Sequence, residues 1–373
     1  MALSGKYVLS LERHRTFLPD PLPPKLLQFP QIDRAVEEAT HLLGQVKMCR
    51  TLLPNADLLI YSSLQREAIA SSTIEGTIAS PNELVLFQLL HQSERAAVRE
   101  VANYRVALEW GCEQITHSAI TETLVLGLHE RLLDGVRGDN TAGRFKRHQN
   151  GIGGPKDTLA TAVFIPPPPE KTRDLVYDLL RYINNPNNTQ PKVIQCALAH
   201  YQFETIHPFS DGNGRVGRLL IMLHLIQMGL LNAPLIYPSV YFEKRRSQYY
   251  AALQAVRDTG EWQEWLLFFV EGMVDRCRET IQFTETILAL RNELHQRVAN
   301  VSQRAAVAAL LDAFFQQPVL SLTELHQHAH MAYRTADKAL AVLMDMGLAQ
   351  EITGRQKGRL YSCPPVFQAV FAS

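Results

Sequence analysis

Between His207 and Arg218 the chain reads HPFSDGNGRVGR, which puts a base, a carboxylate, a glycine turn and two arginines within twelve residues. The segment follows the helical run HYQFETI and precedes the helical run LLIMLHLI, so it is a loop leading into a helix N-terminus. Glycine reaches positive φ at little cost, and the turn Gly212-Asn213-Gly214 can fold its backbone N–H groups into a concave nest. At the positive end of a helix dipole, such a nest suits phosphate. Arg215 and Arg218 lie three residues apart, and planar guanidinium groups grip phosphate in bidentate fashion. Asp211 is a hard oxygen ligand of the kind that holds Mg²⁺ beside phosphates. His207, neutral near its ordinary pKa, is suited to take a hydroxyl proton during attack on phosphorus. A lone GxG would be a turn and isolated arginines would be surface charges. Their convergence in one loop points to phosphate chemistry.

A weaker pattern lies upstream, at Ser71-Ser-Thr-Ile-Glu75-Gly76. Taken alone, a serine and a glutamate four apart before a glycine describe a helix end closed by a glycine C-cap.

The His207–Arg218 segment resembles the signature of Fic-domain proteins, HPFx[D/E]GNGRxxR, and matches it at every defined position. The resemblance extends through GIGG…FIPPPP, YQFETI and YYAALQAVRDTGEW, and covers roughly residues 30–290. It implies an all-α fold, a helical Fic domain with a small β-hairpin flap. It also implies a protein adenylyltransferase, a nucleotidyltransferase that moves AMP from ATP to a Ser, Thr or Tyr hydroxyl of a target protein. On that resemblance His207 is the catalytic base, Asp211 holds Mg²⁺, and Asn213 with the Gly212–Gly214 nest takes the α-phosphate. Arg215 and Arg218 hold the remaining phosphates, Val216 and Gly217 belong to the same ATP-binding segment, and Phe209 seats the loop in the core. Ser71, Glu75 and Gly76 resemble the family's inhibitory motif, [S/T]xxxE[G/N]. A Glu75 carboxylate paired with Arg218 occupies the guanidinium that the γ-phosphate needs and leaves the α-phosphate wrongly aimed. In-line displacement tolerates little of this, since ~1 Å of misplacement can cost about a hundredfold in rate. Arg245 stands where many family members carry an asparagine near the adenine.

These residues need a frame to hold them. Residues 1–30 are proline-rich and read as an extended arm. From Ile32 onward helical periodicity dominates, in IDRAVEEATHLLGQVKM, LVLGLHERLLDGV, KVIQCALAHYQFETI, GRLLIMLHLIQMGLL, RRSQYYAALQAVRDT and the long stretch from Glu261 to about Val298. No repeat of fixed period is present. The segment 143–169 breaks the helical pattern: glycines mark turns, ATAVFI is a short β-branched and aromatic run, and four prolines end it. It reads as a hairpin flap whose open edge can pair with a target backbone. Lys146, Arg147 and His148 are either flap contacts or solvated residues. The chain therefore divides into an arm and helical region carrying the inhibitory motif (1–110), a Fic domain (111–299) and a last unit (300–373).

That last unit reads as a winged helix-turn-helix: SQRAAVAALLDAFF, LTELHQHAH and YRTADKALAVLMDMG as helices, then a two-stranded wing around TGRQKGR. It permits another function, a DNA-binding regulator whose Fic domain senses a ligand. Residues 318–373 argue against it. Five cations (Arg334, Lys338, Arg355, Lys357, Arg359) face four acids (Glu324, Asp337, Asp345, Glu351), a net of +1, whereas DNA binding is largely electrostatic. Docking of a protein is the favoured role, beside target binding by the 143–169 flap, and a homo-oligomer is left open. The run His326, His328, His330 suggests a metal, but no carboxylate or cysteine completes a ligand set. Tyr249-Tyr250 and Trp262/Trp265 fall at helical spacing and read as core.

Composition fits a globular chain: hydrophobic residues make up 46% of 373, and Lys+Arg and Asp+Glu balance at 37 each. No global field draws in nucleic acid or an acidic membrane surface. Five scattered cysteines without a CxxC pair indicate neither a disulfide framework nor a zinc knuckle. The N-terminus lacks the apolar stretch of a signal peptide, and the run Trp265–Val270 is far too short to cross a bilayer. The expected location is the cytoplasm.

Overall fold

A computed structural model describes residues 4–24, 30–52, 57–80, 83–84, 96–136, 139–153 and 158–371. The chain is mostly helical and divides into two compact units, Met1–Gly44 with Leu64–Cys277 and Gln45–Ser63 with Arg278–Ser373. These units cut the chain differently from the three segments read from the sequence.

In the first unit the proline-rich arm is a docked hairpin rather than an extended segment. Strand β1 (Gly5–Leu9) pairs antiparallel with β2 (Arg15–Pro19), placing Tyr7 opposite Phe17. Aromatic and β-branched residues in KYVL and RTFL favour a pleated pair, and Phe17 inserts fully into the core. Ser4 ties the start of the hairpin down by donating its hydroxyl to the Val256 carbonyl at 2.7 Å.

Helices α1 (Pro30–Leu52), α2 (Asp57–Ile74), α3 (Ala96–Ile115), α4 (Glu122–Leu132), α5 (Pro169–Ile183), α6 (Lys192–Ile206), α7 (Asn213–Gln227), α8 (Pro238–Lys244), α9 (Arg246–Thr259) and α10 (Trp262–Arg297) follow. Helices α6 and α7 form the centre. Every residue of α6 after Lys192 is buried, as is every residue of α7 from Asn213 through Leu225. Their apolar residues surround the axis instead of forming one stripe, as a central helix requires. Helix α3 packs on α4 and α7, and α5 packs on α6. The ends follow local chemistry. Thr121 caps α4 by accepting the Leu124 N–H, the prolines that close the flap segment start α5 with Pro169 at its first turn, and Gly260 ends α9 in the left-handed region.

The flap is far less regular than ATAVFI predicts. Among the described residues its pairing reduces to one antiparallel bridge, Ile152 with Phe164. The next carbonyl, Ile165, accepts the Phe17 N–H of β2 at 3.0 Å. The C-terminal end of the run is thus flanked on both sides by this chain, and Val163 just before it is exposed. An aromatic cluster of Phe242, Tyr249, Trp265 and Phe269 surrounds His200. Tyr249, Trp262 and Trp265 are core as expected, whereas Tyr250 is exposed.

His224 on α7 is 1% exposed, and neither ring nitrogen has a hydrogen-bond partner among the described residues. It lines a small cavity with Ile183, Cys196, Leu220 and Ile221. Burial pushes its pKa down to about 4. Because the folded pKa lies below the unfolded value of about 6.5, the unfolded chain binds more protons in this window, and stability falls as pH drops from about 6.5 to about 4. His224→Leu should remove that contribution, about 1.4 kcal/mol per pH unit across the window. Denaturant midpoints at pH 7 and pH 5 check this: the variant should lose less stability between them than the natural chain. Equal losses would place the acid sensitivity elsewhere.

In the second unit α11 (Arg304–Phe314), α12 (Leu322–His328) and α13 (Tyr333–Asp345) accompany a three-stranded antiparallel sheet of order β3 (Val319–Ser321), β5 (Leu360–Ser362), β4 (Gln350–Glu351). The strand β3 and a final helix, α14 (Pro364–Phe371), are additional to the two-stranded wing expected. Ser321 and Glu324 form a reciprocal capping box at the start of α12. Asp312 on α11 accepts from Arg291 at 2.9 Å and contacts His295 Nε2 at 2.8 Å, both on the last turns of α10. In the histidine run, His326 Nδ1 lies 3.2 Å from the Met331 carbonyl, His328 Nδ1 lies 2.6 Å from Gln316 Oε1, and His330 falls past the end of α12.

Candidate active site

The loop between α6 and α7 begins at His207, which closes α6 in the left-handed conformation, φ 50° and ψ 61°. A non-glycine residue there is uncommon and needs surrounding support. His207 N–H donates to the Phe203 carbonyl at 2.9 Å, and Asn150 Nδ2 donates to the His207 and Phe209 carbonyls at 3.4 and 2.9 Å. Lys146 is buried and donates its Nζ to Asn150 Oδ1 at 2.9 Å and to the Ile206 carbonyl at 3.3 Å. So of the three residues Lys146, Arg147 and His148, the first is a loop anchor while the other two are exposed. Phe209 is fully buried, as expected of an anchor.

His129 on α4 stacks on the Phe209 ring, with centroids 3.8 Å apart and an interplanar angle of 8°. Its Nδ1 accepts the Gly143 N–H at 3.0 Å, so the proton sits on Nε2 and is donated to the Asp211 carbonyl at 3.1 Å. Burial lowers its pKa to about 4, which keeps this neutral tautomer in place. Asn213 is engaged at both ends of its amide, accepting from Phe209 N and donating to Phe209 O, each at 2.8 Å. It staples the loop. Gly212 sits at φ 77°, so the nest's glycine conformation is present where α7 starts.

The two arginines have different surroundings. Arg215 is 0% exposed and pairs with Glu100 of α3 at 3.1 Å, with Asp211 Oδ1 at 3.6 Å from its other nitrogen. Glu100 also accepts from Thr77 Oγ1 at 2.9 Å. The expectation that Arg215 reaches outward to phosphate therefore meets a buried ion pair. Arg218, equally buried, donates Nε to Ser71 Oγ and Nη2 to both the Ser71 carbonyl and Glu75 Oε1, each at 2.8 Å. Val216 is core, and Gly217 leaves the space that Glu204 fills, since a Cβ there would lie 2.3 Å from Glu204 Oε1.

The segment 71–76 lies at the end of α2. Gly76, at φ 85°, ends it in a Schellman arrangement: Gly76 N–H donates to the Thr73 carbonyl and Thr77 N–H to the Ser72 carbonyl. The glycine C-cap is present, and the Glu75 carboxylate pairs with Arg218. A Cβ on Gly214 would lie 2.2 Å from Glu75 Oε1, so the carboxylate rests directly on the first turn of α7. It occupies the positive end of that helix and neutralises Arg218 at once.

Burial dominates the electrostatics. It pushes His207 down to about 3, helped by the charges of Lys146 and Arg257 and opposed by the Glu204 carbonyl. Glu204 is pushed up to about 7, also by burial first, with Arg218 and Arg257 opposing and Glu75 contributing. Lys146 is lowered to about 7 by burial alone. Asp211 keeps a side chain 41% exposed at the mouth of the loop, with Oδ1 accepting the Gly212 N–H at 2.6 Å. That fits a cation shared with bound phosphates. Among the described residues no group of three or more His, Cys, Asp or Glu could hold a metal alone, and Mg²⁺ bound mainly through phosphates needs none. Arg245, between α8 and α9, lies over the Tyr241 ring at 4.1 Å. His129, Glu100 and Asn150 are the site residues that sequence reasoning missed, while Lys146, read there as a flap contact or a solvated residue, anchors the loop. Only Asn150, immediately before Gly151 of the flap and four residues after Lys146, carries a local signal.

A helical core with a His207 loop feeding the N-terminus of α7 defines the Fic class of fold. It is shared with a Fic family protein from Desulfovibrio desulfuricans (TM-score 0.61, 22% identity, 91% of this chain and 98% of that one). Fic-1 from C. elegans is a further neighbour (TM-score 0.55, 20% identity, 69% and 75%). Models described as Fic/DOC family and Fic/DOC family N-terminal match residues 119–225 and 34–113. The chain belongs to the Fic/DOC family. A probable protein adenylyltransferase of Aquifex aeolicus is 32% identical over 139 residues, 37% of this chain and 38% of the relative. Protein adenylyltransferase Fic of Drosophila melanogaster is 32% identical over 204 residues, 53% of this chain and 36% of the relative. The chain thus matches little more than a third of the length of either curated relative. Among the described residues, no helix is long and apolar enough to cross a membrane.

Proposed function

We propose that this chain is a protein adenylyltransferase held in check by its own α2. The target hydroxyl oxygen attacks the α-phosphorus of ATP, the bond from that phosphorus to the bridging oxygen breaks, pyrophosphate leaves, and the hydroxyl proton passes to His207. Gly212 and Gly214 at the α7 N-terminus and Arg218 bind phosphate oxygens. Asp211 holds Mg²⁺, which screens phosphate charge, and Arg245 borders the nucleobase. Arg215 acts from behind, fixing the loop through Glu100 and Asp211. The observation that carries the reading is Glu75 on the first turn of α7, paired with Arg218 at 2.8 Å. A carboxylate placed there marks an anion site and blocks it.

The second unit, read as a winged helix, presents protein targets, together with the flap. A target segment has the edge at Val163 available, since Ile165 is already bonded to Phe17. The soluble composition and neutral chain suit a cytoplasmic enzyme. Incubation with Mg²⁺ and ATP labelled at the α-phosphorus should label protein, and ATP labelled at the γ-phosphorus should not. The opposite pattern would make the chain a phosphate transferase.

A further inference from the structure

Glu67, Ser71 and Glu75 follow one another at four-residue spacing, the first two on α2 and Glu75 just past its last residue, so Glu67 and Ser71 share the helix face that leads to Glu75. Ser71 and Glu75 hold Arg218. Glu67, two turns before Glu75, holds something else. It is 1% exposed, and both its oxygens are engaged: Oε1 accepts from Tyr104 OH at 2.9 Å and from Ser239 Oγ, and Oε2 accepts from Ser239 N at 2.9 Å. Tyr104 lies on α3, one turn beyond Glu100, which pairs with Arg215. Ser239 lies on the first turn of α8, the helix whose last residue, Lys244, precedes Arg245. One carboxyl group therefore joins α2 to two other elements of the site.

The rest of this stretch offers little grip. Between Glu67 and Glu75 the buried positions are Ala68, Ala70, Ser71, Ser72 and Ile74, all small except the last. Small side chains make few interlocking contacts, so a helix packed through them resists rotation and sliding poorly. A slip of one residue moves a helix by 1.5 Å and turns it by about 100°, enough to break a 2.8 Å contact between Glu75 and Arg218. Polar contacts at a fixed point upstream prevent it.

We propose that Glu67 is a positioning residue for the inhibitory contact: by gripping Tyr104 and Ser239 it fixes the rotation and axial position of α2, so that Glu75 stays seated on the first turn of α7. This rests on the inhibitory role proposed for Glu75. Glu67 takes no part in AMP transfer itself, and its loss leaves the His207 loop unaltered.

The test is AMP incorporation from α-labelled ATP and Mg²⁺ in the full chain. Glu67→Ala should raise incorporation at least about tenfold, and Glu67→Ala with Glu75→Gly should give no more than Glu75→Gly alone. Glu67→Gln should stay near the natural rate. Its amide oxygen can still accept the Ser239 N–H while the two hydroxyls rotate to meet the NH₂ group. A merely structural role predicts a different pattern, with Glu67→Ala lowering incorporation equally in the natural and Glu75→Gly chains, and that result overturns the proposal. A gain in Glu75→Gly without one in Glu67→Ala overturns it too, and leaves the inhibitory reading intact. Absence of a gain in Glu75→Gly removes both. Should Glu67→Ala fail to fold, Tyr104→Phe decides: it deletes one hydroxyl from the grip, and a several-fold gain supports the proposal while an unchanged rate ends it.

Discussion

Glu75→Gly is expected to raise AMP transfer, including transfer onto the chain itself, by about a hundredfold. That gain corresponds to an inhibited arrangement populated at ~99%, or roughly 2.7 kcal/mol. Two features make the effect large. The carboxylate offsets the charge of Arg218, whose guanidinium is wholly buried; burial works against its charged form, and Glu75 leads the neighbours that keep it protonated. It also stands where a Cβ on Gly214 would be, against the N–H groups that open α7. A phosphate must take both positions, so nucleotide and carboxylate exclude each other at that end of the site. Glycine at position 75 clears both. The Ser71 contacts to Arg218 survive the substitution, so the guanidinium stays aimed. Arg218→Ala in the same background should abolish the gain, since the cleared space is then without its cation. Incorporation of α-label measures both variants, and an unchanged rate in Glu75→Gly would show that the carboxylate does not restrain the site.

The parts of this site that could be read in the sequence are those that sit together along the chain. The loop from His207 to Arg218 is one contiguous segment between two strongly periodic helices, so its residue types and their order are visible without knowing the fold. What could not be read is where the partners come from. Arg215 looks like Arg218 in the sequence, three residues away on the same helix start. Only Glu100, 115 residues distant, turns it into a buried structural pair. Asn213 has the same history, since its amide is spent on Phe209 once the loop closes. His129 carries no local mark at all, because stacking on Phe209 and bridging Gly143 to Asp211 depend on how α4 lies against the loop. The flap shows the converse failure. ATAVFI has strand-forming residues, but a strand needs continuous partners, and among the described residues only Ile152 and Phe17 pair with the end of this run. The four-residue spacing of Glu67, Ser71 and Glu75 is visible in the sequence but acquires meaning only when Tyr104, Ser239 and Arg218 are placed opposite it.

In the Glu75→Gly background, His207→Ala is expected to lower AMP transfer by on the order of 10²–10⁴, the usual contribution of a positioned general base. The loss should be chemical rather than conformational, and the backbone offers a way to tell. His207 stands at φ 50°, a conformation that alanine enters with strain and glycine without it. His207→Gly therefore keeps the αL turn and the Asn150 contacts to the loop carbonyls while removing the imidazole. If the ring acts as the base, both variants lose transfer to the same extent, and thermal midpoints separate any destabilisation of the alanine chain from its loss of rate. The pH profile adds a second check. In the free site burial holds the imidazole at about 3, with Lys146 and Arg257 adding to the shift. The ring is thus already unprotonated across neutral pH, and kcat/KM, which reports the free enzyme, should show no loss from His207 between pH 8 and pH 5. Bound phosphate oxygens bring negative charge that favours imidazolium and raises its proton affinity when the hydroxyl proton must be taken. An acid limb near pH 6.5 that vanishes in His207→Gly would mean the ring is solvated in the working enzyme. Transfer by His207→Gly above about a tenth of the parent rate would remove His207 from the proton transfer altogether, because a group worth 10² or more cannot be deleted at so small a loss.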